Sequence, residues 1–592
     1  MTSSQRGGVW LIEPTEASDV FTPEHLTEEH RLIAQTCDEF VANEVLPRLD
    51  ELERKNWDVA RDLVRRCGEL GLIGVDIPEA YGGVQLDKAT SVVVSERLAR
   101  SASFGATFGG QANLAVMPIF MFGTAEQKER YLPRLISGEL IGAYALSESG
   151  SGSDALGARA RAVKQSDGSF VLTGEKMWIT NGGFADLFIV FAKVGGELFT
   201  AFIVERSFPG VSTGREEHKM GLHGSSTTPL ILQDAKVPAG NLLGEIGKGH
   251  KVAFNVLNFG RLKLGAMCTG GARAAIGESA TYAAQRKQFD RPIASFGAIK
   301  HKLGEMTVRT YAVESLLYRT AGLIDQLLER TADRDPTDGR PVLAALEEFA
   351  VEASIAKVAG SESLDYVLDE NVQIHGGNGF VRDYPAERHY RDARVNRIFE
   401  GTNEINRLLI PTLLVRRAGK GELALASSMD ATVSKAARTK TLTSGAGAES
   451  LATQIDAVAS FRQAAQLVLG RAVKRYGAEL GEEQEVLTNL ADLVIDTYAA
   501  DSAVLRAQSA AARGLTDAQR HADAASVFVN DAAARIEFTG RQALAAMFAG
   551  EALAAALAEL GRVLNVAPID TVQPRRRLAD ETIARGSYIF AV

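Results

Sequence analysis

The chain has 592 residues, of which 46% are hydrophobic and 23% charged, and its formal net charge is −9. This length exceeds what one hydrophobic core supports, so we expect several packed domains. The acidic balance offers no basic surface for a phosphate backbone, which argues against nucleic acid as a partner.

Cysteine, histidine and leader patterns narrow the class of protein further. The three cysteines lie far apart and form no CxxC pair, and the nine histidines show no HExxH spacing, so we expect neither disulfides nor a metal site. The N-terminus lacks a secretion signal, and no run of about 18 apolar residues is present. We therefore expect a cytoplasmic bacterial protein.

The first half of the chain changes once from a helical pattern to a β-strand pattern. Apolar residues recur at helical spacing from Thr27 to Arg100 and again in EQKERYLPRLISG, which predicts an N-terminal helical domain over residues 1–142. Runs rich in aromatic and β-branched residues follow, such as DLFIVFAKV and LFTAFIVE. They predict a middle β domain over residues 143–245.

The second half is predicted to be helical on both sides of a linker. Residues 246–418 include the helical run FNVLNFGRLKLGAMCTGGARAAIGESATYAAQRKQF, and residues 419–450 are rich in Ser, Thr, Ala and Gly, as linkers are. The segment EVLTNLADLVIDTYAADSAVL has a one-sided apolar stripe, which predicts an extra helical domain over 451–592. The basic cluster at 575–577 is interpreted as a solvated face.

Two stretches in the middle region are typical of ligand contacts. YALSESGSGSD, from Tyr144 to Asp154, lets bare backbone amides and hydroxyls approach a polar ligand, although a surface turn is an equal interpretation. Its glycines lack the GxGxxG spacing of a nicotinamide site. KMWITNGG places Trp178 and Thr180 on one face of a strand, where they could receive a planar cofactor; a core tryptophan is the alternative.

Two further stretches lie in the helical region that follows. QIHGGNGFVRDYPAERHYRD puts paired glycines beside polar groups, and its GGNG could instead be a helix C-cap. RIFEGTNEINR sets Glu400 between Phe399 and Gly401. Taken alone, Glu400 is interpreted as an acid in the first turn of the following helix, where it would face the helix dipole, with Thr402 as the N-cap.

Taken together, these stretches resemble the acyl-CoA dehydrogenase family of flavoenzymes. ERLARS, YGG, RKQFDRPIASF and RIFEGTNEINR follow one another in the family's order, over roughly Glu29 to Val415. The resemblance implies a mostly α fold with an N-terminal helical domain, a middle β-barrel-like domain and a C-terminal four-helix bundle. The extra helical region past Val415 resembles the very-long-chain branch, whose members are dimers.

The resemblance also implies an activity. The chain would be an FAD-dependent enzyme of fatty-acid β-oxidation that converts a fatty acyl-CoA to its trans-2-enoyl-CoA and passes electrons to an electron-transfer flavoprotein. An acyl-CoA oxidase is one alternative. Another is a catalytically silent flavin-bound assembly protein on the same fold, against which the presence of Glu400 counts.

In the family, the glutamate that corresponds to Glu400 removes the α-proton of the thioester while a hydride leaves the β-carbon for flavin N5. Its own backbone N–H and a ribityl hydroxyl stabilise the enolate oxygen. Some relatives carry the base directly before the arginine that corresponds to Arg261, where this chain has Gly260, so Glu400 is the only candidate. We expect burial beside Phe399 to raise its pKa.

The other implied roles fall into three groups. The flavin ring and its neighbouring groups would contact Tyr144, Leu146, Ser147, Trp178, Thr180, Thr402 and Glu404. The adenine nucleotide and diphosphate would be held across a subunit boundary by Arg286, Phe289, Gln373, Gly376 and Gly377. The acyl-CoA would contact Ser153, Arg261 and Gly401.

Two positions depart from the family pattern. Ser149 replaces the usual proline of the flavin loop, and Glu404 stands where glutamine is common. A carboxylate near a diphosphate would be repelled unless a cation intervened.

Two further expectations concern the acyl chain and a membrane. Ala106, Gly109 and Gly110 lie on the helix that floors the acyl pocket in relatives, so small side chains there would leave a deep channel for a long chain; close helix packing is the alternative. A separate hypothesis is peripheral contact with the inner membrane, in which Lys420, Lys435 and Lys440 would meet anionic lipid.

Overall fold

The computed structural model describes residues 6–330, 335–429 and 451–590. Its N-terminal part is helical, and two of the helices begin at side-chain caps that the sequence encodes: Thr27 and Thr124 each form a capping box. The helices of this part are Glu28–Phe40 (α1), Leu49–Glu53 (α2), Trp57–Glu69 (α3), Lys88–Leu98 (α4), Ala102–Gln111 (α5), Met117–Phe122 (α6) and Ala125–Ile136 (α7).

A mixed sheet forms the middle part. Its strands are Gly142–Ala145 (β1), Arg161–Lys164 (β2), Phe170–Thr180 (β3), Leu187–Val194 (β4), Leu198–Glu205 (β5), Val211–Thr213 (β6), Thr227–Val237 (β7) and Leu242–Leu243 (β8). The strand order is β6-β7-β3-β2-β4-β5-β8, and β1 pairs in parallel with β4. The register of β3 against β7 shifts between Lys176 and Ile179, which marks a bulge at the end of β3.

A bundle of long helices follows the sheet. Its helices are Gly249–Gln285 (α8), Gly297–Glu329 (α9), Arg340–Glu348 (α10), Ala350–His375 (α11), Pro385–Ala393 (α12) and Asn403–Gly419 (α13), and a hairpin, Lys287–Gln288 (β9) with Arg291–Pro292 (β10), lies between α8 and α9. Gly265 of α8 packs against Ala356 and Gly360 of α11, and Ser279 further along α8 bonds Asn371 of α11. The two helices therefore run parallel and closely packed along their length.

The C-terminal extension is a second helical layer. Its helices are Ala452–Tyr476 (α14), Gln484–Ala512 (α15), Ala518–Met547 (α16), Gly550–Val563 (α17) and Val572–Arg585 (α18). The predicted stripe on α15 understates its burial, because Thr497 and Ala500 between the stripe residues are buried as well. The predominantly helical fold predicted from the sequence is confirmed.

Buried charges join the extension to the rest of the chain. Arg506 of α15 is fully buried; its Nε lies 2.9 Å from Glu24 of the N-terminal segment, and its Nη1 lies 2.7 Å from Glu314 of α9. Arg575 of α18 pairs with Glu305 of α9 at 2.8 Å. The interpretation of the basic cluster as a solvated face is therefore wrong for Arg575, since this side chain is buried against its carboxylate partner.

Part of the predicted linker can be described. Leu423, Leu425 and Met429 are buried, so this first portion packs on the fold, and the remaining residues, 430–450, lie outside the described residues. Lys435 and Lys440 of the membrane hypothesis fall in that range, while Lys420 is exposed after α13. Within the described ranges, no helix combines the length and apolar character that a membrane span requires.

We predict that Arg506→Met destabilises the fold, because Glu24 and Glu314 would lose the cation that compensates their burial. Removing one partner of a buried ion pair costs about 3–5 kcal/mol, so the urea midpoint followed by far-UV circular dichroism should fall accordingly. Arg541→Met is the matched control in the same extension, since Arg541 is 56% exposed and lies 3.9 Å from Glu537. Equal midpoints for the two variants would contradict the assignment.

Candidate active site

A strained turn carries Glu400. Glu400 (φ 57°) and Gly401 (φ 80°) are consecutive residues in the left-handed region, which a glutamate rarely occupies. The Thr402 hydroxyl accepts a hydrogen bond from the N–H of Ile405 at 3.2 Å, so α13 begins directly after this cap. Asn406 donates its side-chain N–H to the carbonyls of Gly401 (2.8 Å) and Thr402 (3.0 Å).

This geometry decides between the two interpretations of Glu400. The cap at Thr402 is confirmed, but Glu400 precedes the cap, and the acid in the first turn of α13 is Glu404. The first-turn interpretation of Glu400 is therefore wrong. The turn directs its side chain towards α8 instead.

The Glu400 carboxylate packs against a glycine of α8. A Cβ on Gly260 would lie 2.6 Å from Oε2 of Glu400, so no other residue fits there without displacing the acid. Oε2 is buried and has no hydrogen-bond partner among the described residues. Burial raises the pKa of Glu400 to about 7, although the charges of Arg261 and Lys357 act to lower it. The expected rise in pKa is confirmed.

Two buried cations approach the turn from different helices. Arg261 of α8 donates its Nε–H to the Glu400 carbonyl at 3.3 Å and its Nη1–H to Asn258 at 2.8 Å. Lys357 of α11 donates to the Gly401 carbonyl at 2.8 Å and to Asn403 at 2.6 Å. The sequence analysis missed Lys357, although a lone lysine in the apolar helical run ASIAKVAG is a detectable signal.

The loop after β1 faces this turn from the sheet. The Tyr144 hydroxyl lies 3.4 Å from the carbonyl of Ala253 in α8, and the nearby Glu400 charge together with burial raises the pKa of Tyr144 well above its usual range. Leu146 and Ser147 follow, both half-buried. The Ser147 carbonyl accepts a hydrogen bond from the N–H of Met177 at 2.9 Å, which places this loop beside the end of β3.

A buried ion pair holds that loop in place. Lys176, with no exposed surface, donates to Glu148 at 2.6 Å, and Glu148 also accepts the backbone N–H groups of Arg159 and Ala160. The sequence analysis did not find this pair. Ser149, at the departure from the family pattern, is exposed in the same loop.

The bulge of β3 presents Trp178 to solvent. Trp178 has φ 58° and is 58% exposed, so the interpretation as a core residue is wrong. Trp178 and Thr180 were predicted to share one face because side chains alternate along a regular strand, and the bulge breaks that alternation. Thr180 is half-buried, and its methyl group lies 3.4 Å from where a Cβ of Gly110 would be.

A second group of predicted residues lies far from Glu400. Arg286, Phe289, Gln373, Gly376 and Gly377 are all exposed at the C-terminal ends of α8 and α11. Phe289 is 87% exposed at the tip of the β9-β10 hairpin. From Gly260 to Gln285 α8 rises about 37 Å at 1.5 Å per residue, so one chain does not bring the two groups together.

The remaining predicted residues lie at the surface. Ser153 is exposed in the loop after β1, and Glu404 is exposed on the first turn of α13. Gly376 follows α11 with φ 61° and its N–H bonds back to Gln373 and Val372, so the C-cap interpretation of GGNG is confirmed for that glycine.

An apolar cleft begins beside Phe399. Met267, Gly271 and Ala274 of α8 line it, and they follow Gly260 at intervals of 7, 11 and 14 residues, which is one face of a helix. The opposite wall includes Ala106, Leu222, Leu364 and Leu368. Gly110 instead packs against Asn181, 2.9 Å from where its Cβ would be, so close packing explains that glycine.

Comparisons with known proteins identify the family. Models of the acyl-CoA dehydrogenase N-terminal domain match residues 27–139, of its middle domain 143–235, and of its C-terminal domains 247–413 and 460–562. A probable acyl-CoA dehydrogenase of Bacillus subtilis is 46% identical over 97% of this chain and 97% of its own length. The chain belongs to the acyl-CoA dehydrogenase family.

Two further acyl-CoA dehydrogenases locate the chain within that family. A Bacillus anthracis acyl-CoA dehydrogenase crystallised with FAD is 45% identical, superposes with a TM-score of 0.95 and covers 99% of this chain and 100% of that one. The very-long-chain enzyme of Rattus norvegicus is 35% identical over 82% of this chain and 75% of its own length. The extension is therefore shared with bacterial relatives along its whole length.

We predict that Glu400→Gln stabilises the protein at alkaline pH. The pKa of Glu400 is raised from 4.5 to about 7, so its contribution to stability is present below pH 4.5 and is lost as pH rises through 7. Glutamine does not ionise, so the variant should exceed wild type by about 3 kcal/mol at pH 8 and by much less at pH 5. Urea unfolding at both pH values measures this, with the exposed Glu404→Gln as control. A gain that is equal at both pH values would contradict the prediction.

Proposed function

We propose that this acyl-CoA dehydrogenase is FAD-dependent and converts long-chain fatty acyl-CoA to trans-2-enoyl-CoA, with Glu400 as the base. The observation that carries the proposal is the buried Glu400 carboxylate, whose pKa is raised to about 7 and whose chain neighbour Phe399 lines an apolar cleft. A base with that pKa is about half ionised at pH 7 and accepts a proton readily. When bound, FAD supplies a hydride acceptor at N5 for the hydrogen on the β-carbon.

The residues on the sheet side suit a flat, partly apolar cofactor. Trp178 exposes its indole beside the loop of Tyr144 to Ser147, and a large exposed ring next to backbone amides is typical of a face that a planar ligand covers. Thr180 and Thr402 add hydroxyl groups. Glu404 is exposed and ionised, so its predicted contact with FAD is the weakest of the set.

The second group fits the adenine end of an FAD bound to another copy of the chain. Arg286 offers a cation, Phe289 an exposed ring, and Gly376 and Gly377 have nothing within 4 Å of a Cβ position. Because this group and the Glu400 turn lie about 37 Å apart along α8, we propose a homodimer in which each copy completes the other's site. The electron acceptor in this proposal is an electron-transfer flavoprotein.

Proton removal needs a donor for the enolate oxygen that develops on the thioester. The backbone N–H of Glu400 donates to no group in the described part of the chain, so it can donate to that oxygen. Gly401 leaves room beside it, and Arg261 holds the Glu400 carbonyl on the far side of the turn. A preplaced donor of this kind stabilises charge at the moment when it forms.

The cleft supports a long acyl chain. Along the cleft, from Met267 to Ala274, α8 rises about 10 Å at 1.5 Å per residue. The lining is mainly alanine, glycine, leucine, methionine and phenylalanine, and its polar members are Arg100, His389 and Asn396. An extended alkyl chain would therefore occupy the part of the cleft that lies beyond Phe399.

We predict that Glu400→Gln binds FAD normally but bleaches it about 10²–10⁴-fold more slowly on anaerobic mixing with palmitoyl-CoA, because only proton removal is lost. In wild type the bleaching rate should rise with pH through about 7, as Glu400 loses its proton. Stopped-flow absorbance measures both, and reduction by dithionite checks that the variant's flavin is competent. Wild-type bleaching by the variant would refute the assignment.

We predict that Ala106→Phe shortens the usable cleft. Its ring would fill the space beside Met267 and Gly271, so kcat/KM for palmitoyl-CoA should fall roughly tenfold or more, while that for butyryl-CoA stays unchanged. Steady-state assays with both substrates measure the ratio, and Ala125→Phe, at an exposed position of α7, is the control. An equal loss for both chain lengths would show that the cleft does not hold the acyl chain.

A further inference from the structure

Lys357 is a buried cation to which the proposed function assigns no role. It lies on α11 with no exposed surface, in a stretch of otherwise small and apolar residues. Burial lowers its pKa to about 8, and a lysine is almost never buried to this degree unless it is paired. Its hydrogen bonds therefore indicate what it does.

Those bonds go to the residues that follow Glu400. The Lys357 ammonium donates to the Gly401 carbonyl at 2.8 Å and to Asn403 Oδ1 at 2.6 Å. Asn406 donates to the same Gly401 carbonyl at 2.8 Å. The Gly401 carbonyl, which lies just before α13, is thus held by side chains of two helices. These bonds fix the direction in which the Glu400 side chain leaves the turn.

The charges around Glu400 are few, and each comes from a different element. Arg261 faces it from α8 and Lys357 from α11, while Tyr144 of β1 is the titratable neighbour on the sheet side. Lys357 itself also faces Cys268 of α8 and Glu362 of α11.

These neighbours leave Lys357 as one of two cations for an ionised Glu400. Glu362 is already paired with Arg407 at 2.6 Å. Arg261 donates hydrogen bonds to the Glu400 backbone carbonyl and to Asn258. Lys357 therefore combines a positive charge close to the carboxylate with a direct hold on the turn that carries it.

We propose that Lys357 is a positioning residue for the base: it holds the Glu400–Gly401 turn in its left-handed conformation, and its positive charge favours the ionised form of the Glu400 carboxylate. This inference rests on the proposed function, because it assumes that Glu400 removes the proton. It adds a residue that touches neither the thioester nor the cofactor in that proposal.

The test is the pH dependence of flavin bleaching in Lys357→Met. The FAD-loaded variant is mixed anaerobically with palmitoyl-CoA in a stopped-flow instrument from pH 6 to pH 9. Loss of a nearby opposite charge should raise the midpoint of the rate profile by about one pH unit, so the rate falls about fivefold at pH 7 and recovers towards pH 9. A loss by the same factor at every pH, with the wild-type midpoint, would overturn the proposal.

Three variants complete the design. Lys357→Arg keeps the charge and should retain the wild-type midpoint. Lys357→Gln keeps an N–H donor for Gly401 but no charge, so it should show the raised midpoint even where the methionine variant does not fold. Lys263→Met is the matched control, because Lys263 is equally buried on α8 but bonds Ser91 of α4 and does not face Glu400; its midpoint should not move.

Failure of this inference is distinguishable from failure of the proposed function. If Glu400 is not the base, Glu400→Gln bleaches its flavin at the wild-type rate. If only the role of Lys357 is wrong, Glu400→Gln is slow and Lys357→Met titrates with the wild-type midpoint.

Discussion

One carboxylate oxygen, Oε2 of Glu400, is buried without a hydrogen bond from any described residue, and much of the surrounding structure compensates for that cost. A buried acid without a partner raises its own pKa and destabilises the fold when it ionises. The chain accommodates it in three ways: a glycine on α8 makes room, a turn in the left-handed region aims the side chain, and two buried cations approach from separate helices. A carboxyl group with a pKa near neutrality is the chemical result.

The burial of the Glu400 carboxylate also explains why the helices around it are long and tightly packed. Lys357 and Gly260 reach the turn from α11 and α8, which pack side by side through small residues at 265, 356 and 360. Larger residues would separate the helices and leave a gap around the turn. The parallel course of α8 and α11 then brings their far ends together, where Tyr282 stacks on His375 at 4.1 Å. Two distant surfaces of each chain are therefore positioned by the same two helices.

The sheet contributes rigidity of a different kind. The loop after β1 contains several glycines and serines, which alone would leave it unconstrained. The Lys176–Glu148 pair and the backbone bond from Met177 to Ser147 tie it to the bulged end of β3. Because a bulge redirects side chains, Trp178 points outward while its neighbour Ile179 is buried. An exposed aromatic face next to a fixed loop is what the proposed cofactor site needs.

The sequence by itself determined the family, the order of helical and β regions, the cap at Thr402 and the position of Glu400, because these depend on short-range patterns and on motifs read in order. It did not determine which partners meet across the fold. Lys357, the Lys176–Glu148 pair, Arg506 and the buried Arg575 were missed or misread, since their partners lie from 28 to 482 residues away in the chain. Only the tertiary structure decided that Trp178 is exposed and that Gly110 serves packing, because a bulge and a close helix contact arise when distant segments are brought together.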